Sequence, residues 1–290
     1  RIPREPRPAS PGGTAELRDT ERLRDTERLR DIERLRDGVI EAARLGGLRA
    51  PRRPWLDALP DLVALETLQQ DPGALPAPDA VMIGLRDRPA AQRQSPVALD
   101  FEEIGNLAVV GASGTGKTSA LLALAASFSR AAKAHPVQLY AIDAAGGALD
   151  PLRALPTVAA VAPLSDVELC TRVLRRVLDT VVERGPRFAA ARAAGLAAYR
   201  LTPGGEREPR VILLIDGFSA FRQSTETLSA RGSPYDLLGE IMAAGRAVGV
   251  HVVLTLDRAA SLPAALAASV QRQLVLRLAG ASDYGLLDVP

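Results

Sequence analysis

Leu107-Ala108-Val109-Val110-Gly111-Ala112-Ser113-Gly114-Thr115-Gly116-Lys117-Thr118-Ser119 is the stretch on which the reading of the chain turns. Leu107–Val110 is a short, continuous apolar run, the mark of a strand buried on both faces. Gly111 to Thr118 then fits G-x-x-x-x-G-K-[ST], and leucines and alanines at helical spacing run on to about Ala131. Strand, glycine-rich loop and helix together are the context that this motif requires. The loop wraps phosphate with inward-pointing N–H groups, and the helix adds its positive end. Residues 111–119 are the candidate nucleotide-binding segment. Lys117 is expected to reach the β- and γ-phosphates, and Thr118 to place its hydroxyl on Mg²⁺.

Downstream, apolar runs at 137–142, 211–215, 250–254 and 273–278 alternate with helical patterns at 166–184 and 237–247. The first helix is expected to end at Gly185-Pro186, and Thr202–Pro209 reads as a surface loop. Such alternation predicts an α/β fold, a mostly parallel sheet with helices on both faces, which with the glycine-rich loop is of the P-loop NTPase kind. Val211-Ile-Leu-Leu-Ile-Asp216 supplies the partner feature, a buried strand ending in a carboxylate that would hold Mg²⁺ through its water shell. Hydrolysing motors commonly follow this Asp with a Glu that orients the attacking water. Here Gly217 and Phe218 follow, and Glu226 lies too far along the chain. The residues therefore support binding of ATP with Mg²⁺ more firmly than fast hydrolysis.

Asp143 closes a strand before Gly146-Gly147 and reads equally as a site residue or a turn residue. Arg246 reads as a helix cap rather than a phosphate ligand, and His251 has no metal-ligand partner at a suitable spacing. Cys170, the one cysteine, excludes an internal disulfide and reads as a small buried hydrophobe.

Upstream of the motif, the character changes. Residues 1–16 are rich in Pro, Arg, Gly and Ser and read as disordered. Leu-Arg-Asp-Thr-Glu-Arg then repeats from Leu17, Leu23 and Leu29, the last with Ile32 in place of Thr, and decays from Leu35. A six-residue step turns successive leucines by about 240°, so they form no coiled-coil seam. With like charges at i,i+4 this is a solvated helical spacer, continued by 39–48 and ended by Gly46-Gly47. Pro51–Pro60 reads as extended, turns surround Pro72, Pro76 and Pro78, and short strands fall at 81–85 and 96–100. The expected organisation is a spacer at 1–50, a lead-in at 51–100 and the ATPase domain at 101–290.

Of the 290 residues, 47% are apolar but only 3% aromatic, so the core must be built from Ala, Leu and Val. Net charge is +2, with Lys117 and Lys133 the only lysines and acids interleaved among the arginines. No basic stripe of the kind that marks a DNA-binding surface stands out. No apolar run approaches the ~20 residues that span a bilayer. An Arg start and a Pro290 end read as those of a piece of a longer protein.

Several motifs accompany the loop. They are Pro54-Trp-Leu-x-x-Leu-Pro60, Gly84-Leu-x-Asp-Arg-Pro-x-x-Gln92, Leu139-Tyr-Ala-Ile-Asp143, Gly146-Gly-x-Leu149 and Leu155-Pro156. Gly245-Arg-Ala-Val-Gly-Val-His251, Leu276-Arg-Leu278 and Ser282-Asp-Tyr284 complete the set. In this order, over 55–290, they resemble the FtsK/SpoIIIE ATPase family, and most of all the later, degenerate modules of EccC-type proteins of type VII secretion. The resemblance implies a RecA/FtsK-like form of the fold, hexamer-like homo-oligomeric assembly with nucleotide between subunits, neighbouring ATPase modules, secretion machinery and protein substrates as partners, and a place in the cytoplasm at the inner face of the membrane, held by other parts of a larger protein or complex. It also implies an arginine finger supplied in trans, at Arg172 in this sequence. Two departures, Gly217 for Glu and Leu256 for the Gln sensor after Thr255, point to weak hydrolysis. A DNA translocase and a structural module without nucleotide are the alternatives. The six-residue repeat has no counterpart in the resemblance.

Overall fold

A computed structural model of the protein describes residues 30–48, 55–68, 80–132, 135–226 and 232–287. The earlier repeats from Leu17 and Leu23, the disorder expected over 1–16 and the turns around Pro72, Pro76 and Pro78 lie outside the described residues. The chain divides into two compact units, Arg1–Trp55 and Leu56–Pro290. In the first, residues 30–45 form a helix with nearly every position exposed. Its ion pairs, Arg34–Asp31 at 3.7 Å and Arg44–Glu41 at 2.7 Å, are solvated i,i+3 pairs of small energetic weight. The helix stops where expected, with the Gly46 N–H on the Ala42 carbonyl and Gly47 at φ +62°.

The second unit opens with an antiparallel hairpin, β1 (Val81–Arg88) and β2 (Arg93–Leu99), turning at Pro89–Ala91. The strands run further into the polar stretch 86–92 than its composition suggests, because hairpin pairing satisfies the backbone there. Six strands then build the main sheet: β3 (Asn106–Val110), β4 (Val137–Asp143), β5 (Val158–Pro163), β6 (Arg210–Asp216), β7 (Val250–Leu256) and β8 (Val270–Val275). Their order is β5-β4-β6-β7-β3-β8, and all five pairings are parallel. β5 is not legible in the sequence. It is an edge strand with only part of its surface covered, so Val158-Ala-Ala-Val-Ala-Pro163 lacks the apolar density of the central strands. β8 begins three residues before the expected position, where Val270 and Arg272 pair with β3.

Strand side chains alternate between two apolar layers, as the period of two requires. Leu107, Val109, Leu139, Ala141, Ile212, Leu214 and Val253 face helix α1 (Lys117–Ala131), where Leu121, Leu124 and Phe128 cover them. Ala108, Val110, Tyr140, Ile142, Val211, Leu213, Ile215, Val252 and Leu254 face the other way. On that side lie α2 (Val167–Ala190), α3 (Phe218–Thr225) and α4 (Pro234–Ala244). Each fully buried Leu, Ile, Val or Phe contributes roughly 1.5–3 kcal/mol, which is how a core poor in aromatics holds together. Phe101 extends the first layer, tilted against Phe128 with ring centroids 5.0 Å apart.

α2 continues through Gly185-Pro186 rather than ending there. Tertiary contacts override the local breaker. Arg184, 2% exposed, donates to the carbonyls of Val248 and Pro209 and pairs with Glu208 at 2.9 Å. Phe188 stacks on Tyr199 at 4.1 Å. Glu208 thereby pins the Gly/Pro-rich segment that composition reads as a free surface loop.

Candidate phosphate-binding site

The strand order places three carboxyl-terminal strand ends side by side. β7 lies between β3, which feeds the glycine-rich loop, and β6, which ends at Asp216. At that edge a cavity of about 510 Å³ is lined by Ser113, Gly114, Gly116, Lys117, Thr118 and Ser119 from the loop. Asp216, Gly217, Thr255 and Asp257 from the strand ends, with Ala144, Ala145 and Ala220, complete it.

Within the loop the residues divide by task. The Gly111 and Ala112 N–H groups are bonded to Leu256 and Arg277 carbonyls, at 3.0 and 2.9 Å, so they face the sheet and not the cavity. A Cβ at Gly111 would stand 2.5 Å from Thr115 Oγ1 and 2.9 Å from Leu276 Cβ, so packing demands glycine there. Thr115 Oγ1 donates to the Ala112 carbonyl and braces the loop. Gly114 and Gly116 take φ of +73° and +97°, turning the remaining backbone around the cavity. α2 is capped by the Asp166 carboxylate and α4 by Ser233, but α1 begins at Gly116 with no side-chain cap. Its first-turn N–H groups are thus open to an anion.

Lys117 folds over the loop. Its ammonium donates to the Gly111 and Ala112 carbonyls, both at 2.9 Å, and pairs with Asp257 at 2.9 Å. Thr118 Oγ1 donates to Asp216 Oδ2 at 2.6 Å, and Thr255 Oγ1 donates to Asp216 Oδ1 at 2.7 Å. Asp216 is 1% exposed. A buried carboxylate held by two hydroxyls at the cavity wall, with one of those hydroxyls on the loop, suits a hydrated divalent cation such as Mg²⁺.

Gly217 sits at φ +80°, ψ 51°, its N–H donating to Thr255 Oγ1 at 2.7 Å. A Cβ there would meet the Ala144 carbonyl carbon at 3.0 Å and its oxygen at 3.1 Å. The position after Asp216 therefore does more than lack a carboxylate: its backbone and surroundings disfavour any side chain. Glu226, the other acid considered from sequence, is exposed and paired with Arg222.

The remaining candidates fall elsewhere. Asp143 accepts from the Ala145, Gly146 and Leu149 N–H groups, so it shapes its own turn. Arg246 donates to the Glu102 and Glu103 carbonyls and caps the short helix Phe101–Ile104, not the one that it follows. His251 is fully buried at the opposite end of the strands. Arg210 donates to its Nε2 at 2.8 Å, so Nδ1 carries the proton toward the Gly105 carbonyl at 3.1 Å. Burial, then the Arg210 charge, hold its pKa well below the ordinary value. Cys170 is buried in α2, and burial pushes its thiol up to about 11, leaving it neutral. Arg172 lies on α2 with 63% of its side chain exposed, 4.0 Å from Glu168, and does not line the cavity.

Sequence reading missed Asp257 and the bridging role of Thr255. The only available signal was their place at the end of the β7 run, which identifies a strand end but not which neighbours it meets.

A family model described as the FtsK/SpoIIIE family matches residues 74–288. The chain is 33% identical over 241 residues to the ESX-4 secretion system protein EccC4 of Mycobacterium tuberculosis, covering 82% of this chain and 19% of that protein. It is 25% identical over 232 residues to the type VII secretion system protein EssC of Staphylococcus aureus, covering 78% and 15%. Among solved structures, the cytoplasmic domain of the type VII secretion ATPase EccC of Thermomonospora curvata superimposes with TM-score 0.68 at 27% identity, covering 80% and 28%. ATPases 2 and 3 of the same protein, in complex with a signal sequence peptide, give TM-score 0.63 at 28% identity, covering 73% and 39%. The chain thus spans under a fifth of the length of these two curated relatives.

Proposed function

This chain belongs to the FtsK/SpoIIIE family, and from that premise we propose that it is an ATP-binding module of a protein-secretion motor of the type VII kind, with slow or regulatory hydrolysis. The observation that carries the reading is the meeting of Lys117, Thr118 and Asp216 around one cavity, with the position after Asp216 held in a left-handed backbone that strains any side chain. The loop from Ser113 onward and the start of α1 would hold the phosphates. Thr118 and Asp216 would hold Mg²⁺, which neutralises phosphate charge. No carboxylate stands at Gly217 to orient water, so the site favours holding nucleotide over consuming it.

Arg172 extends from an exposed helix face, as a group that serves a neighbouring copy must, and is the finger of this proposal. Assembly is with like modules or subunits in a hexamer-like arrangement, and the cargo is protein. Among the described residues no helix is long and apolar enough to cross a membrane. The proposed cytoplasmic place beside the membrane therefore depends on other parts of a larger protein or complex.

Calorimetric titration with ATP and Mg²⁺, with phosphate release measured on the same samples, tests this. Binding is expected in the wild type and lost in Lys117→Ala, with turnover slow or undetectable. Any basal turnover in the assembled protein should fall in Arg172→Ala with binding retained. Brisk turnover stimulated by duplex DNA would instead identify a translocase, and absence of binding a structural module.

A further inference from the structure

The phosphate cavity carries an unusual charge balance. Among its lining residues stand one cation, Lys117, and two carboxylates, Asp216 and Asp257. An anion site normally presents the opposite excess. Asp216 is taken by two threonine hydroxyls in the position suited to a divalent cation. Asp257 has no such duty. It stands just beyond β7, 61% exposed at its side chain, with Oδ1 2.9 Å from the Lys117 ammonium.

An ammonium has three donors. Here they go to the Gly111 carbonyl, the Ala112 carbonyl and Asp257. A phosphate oxygen can gain a lysine donor only by displacing one of these. The two carbonyls belong to the braced loop, whereas Asp257 is an exposed side chain that can rotate away. It is also the one anion of the three. The backbone N–H groups of the loop do not face this conflict, so a β-phosphate, which they hold together with Lys117, depends less on the lysine than a terminal phosphate does. The terminal phosphate of a triphosphate adds charge at the lysine tip, beside Asp257.

We propose that Asp257 is a specificity-determining residue: it competes with the terminal phosphate for Lys117 and so narrows the preference of this site for nucleoside triphosphate over diphosphate. The inference rests on the nucleotide-binding reading above and adds to it the ratio in which the two nucleotides are held.

The test is an equilibrium titration of the whole chain with fluorescent ADP and a fluorescent non-hydrolysable ATP analogue in Mg²⁺, on wild type, Asp257→Asn, Asp257→Ala and Lys117→Ala. Both Asp257 variants should bind the triphosphate analogue about fivefold more tightly, the scale of one exposed like-charge pair at ~4 Å in water. Their affinity for ADP should change by less than about twofold, and the gain should shrink as salt is raised, because exposed charges are screened. Thermal melts show that each variant is folded, and the Ala variant distinguishes loss of charge from a new amide contact. The inference is overturned if wild type binds both nucleotides through Lys117 but the ratio is unmoved, or if loss of the carboxylate weakens the analogue. If wild type binds neither nucleotide, the nucleotide-binding reading fails and this inference with it.

Discussion

Placing alanine at Gly217 perturbs the position where hydrolysing motors carry the water-orienting Glu. Two costs add. At φ +80°, ψ 51° an L-residue sits in the left-handed region, at about 1–2 kcal/mol. The new Cβ would then lie 3.0 Å from the Ala144 carbonyl carbon and 3.3 Å from the Ala145 nitrogen, both backbone atoms in the turn braced by Asp143. Forcing them apart costs about 1–2 kcal/mol on the scale of overpacking. The sum is about 3 kcal/mol. At roughly 2–4 °C per kcal/mol for a unit of this size, the thermal midpoint should fall by roughly 6–12 °C. Circular dichroism melts, supported by urea titration, measure this. Gly217→Asn separates the two costs: asparagine tolerates the left-handed region but still carries a Cβ, so it should recover only the first. Gly217→Glu should be no more stable than Gly217→Ala and should not raise phosphate release, because the turn that would aim its carboxylate has been displaced. Midpoints of Gly217→Ala within about 1 °C of wild type, or brisk turnover in Gly217→Glu, would refute the view that the backbone excludes the catalytic carboxylate.

Stability should fall on acidification through His251. Its folded pKa lies well below the ordinary 6.5, so it is neutral in the fold and must charge on unfolding. This contribution is fully present above pH 6.5 and is lost as pH falls from there toward the folded value, with a slope of up to about 1.4 kcal/mol per pH unit. Urea midpoints between pH 7.5 and 5.5 in wild type and His251→Gln measure it, and the variant should show the shallower dependence. Asn106→Ala should cost about 3 kcal/mol, because one side chain satisfies three backbone groups: the buried Met242 carbonyl and Val252 N–H and the part-buried Ser269 carbonyl. Equilibrium unfolding reads this directly, and the folded variant should keep its Lys117-dependent binding, because Asn106 starts β3 at the end away from the cavity and does not line it.

Much of this molecule was written in local pattern. Leu107–Val110, the glycine-rich loop and the start of α1 are adjacent in the chain, so their chemistry could be read without knowing the fold. Val211–Asp216 was legible for a similar reason: a fully buried strand must be apolar throughout, and a carboxylate at its end stands out. The absence of an acid at 217 could likewise be seen as a letter in the sequence.

What the letters could not carry was neighbourhood. That β7 inserts between β3 and β6 is a property of the sheet order, and only that order brings Thr255 to Asp216 and Asp257 to Lys117. These contacts join residues 39 and 140 positions apart, and no spacing rule reaches so far. The passage of α2 through Pro186 was hidden for the same reason, because its support comes from Val248, Pro209 and Glu208, all distant in sequence. Gly217 shows the boundary most clearly. Sequence alone determined that the carboxylate is missing, but only the tertiary structure shows its setting: a left-handed backbone close against Ala144 that would strain any side chain there.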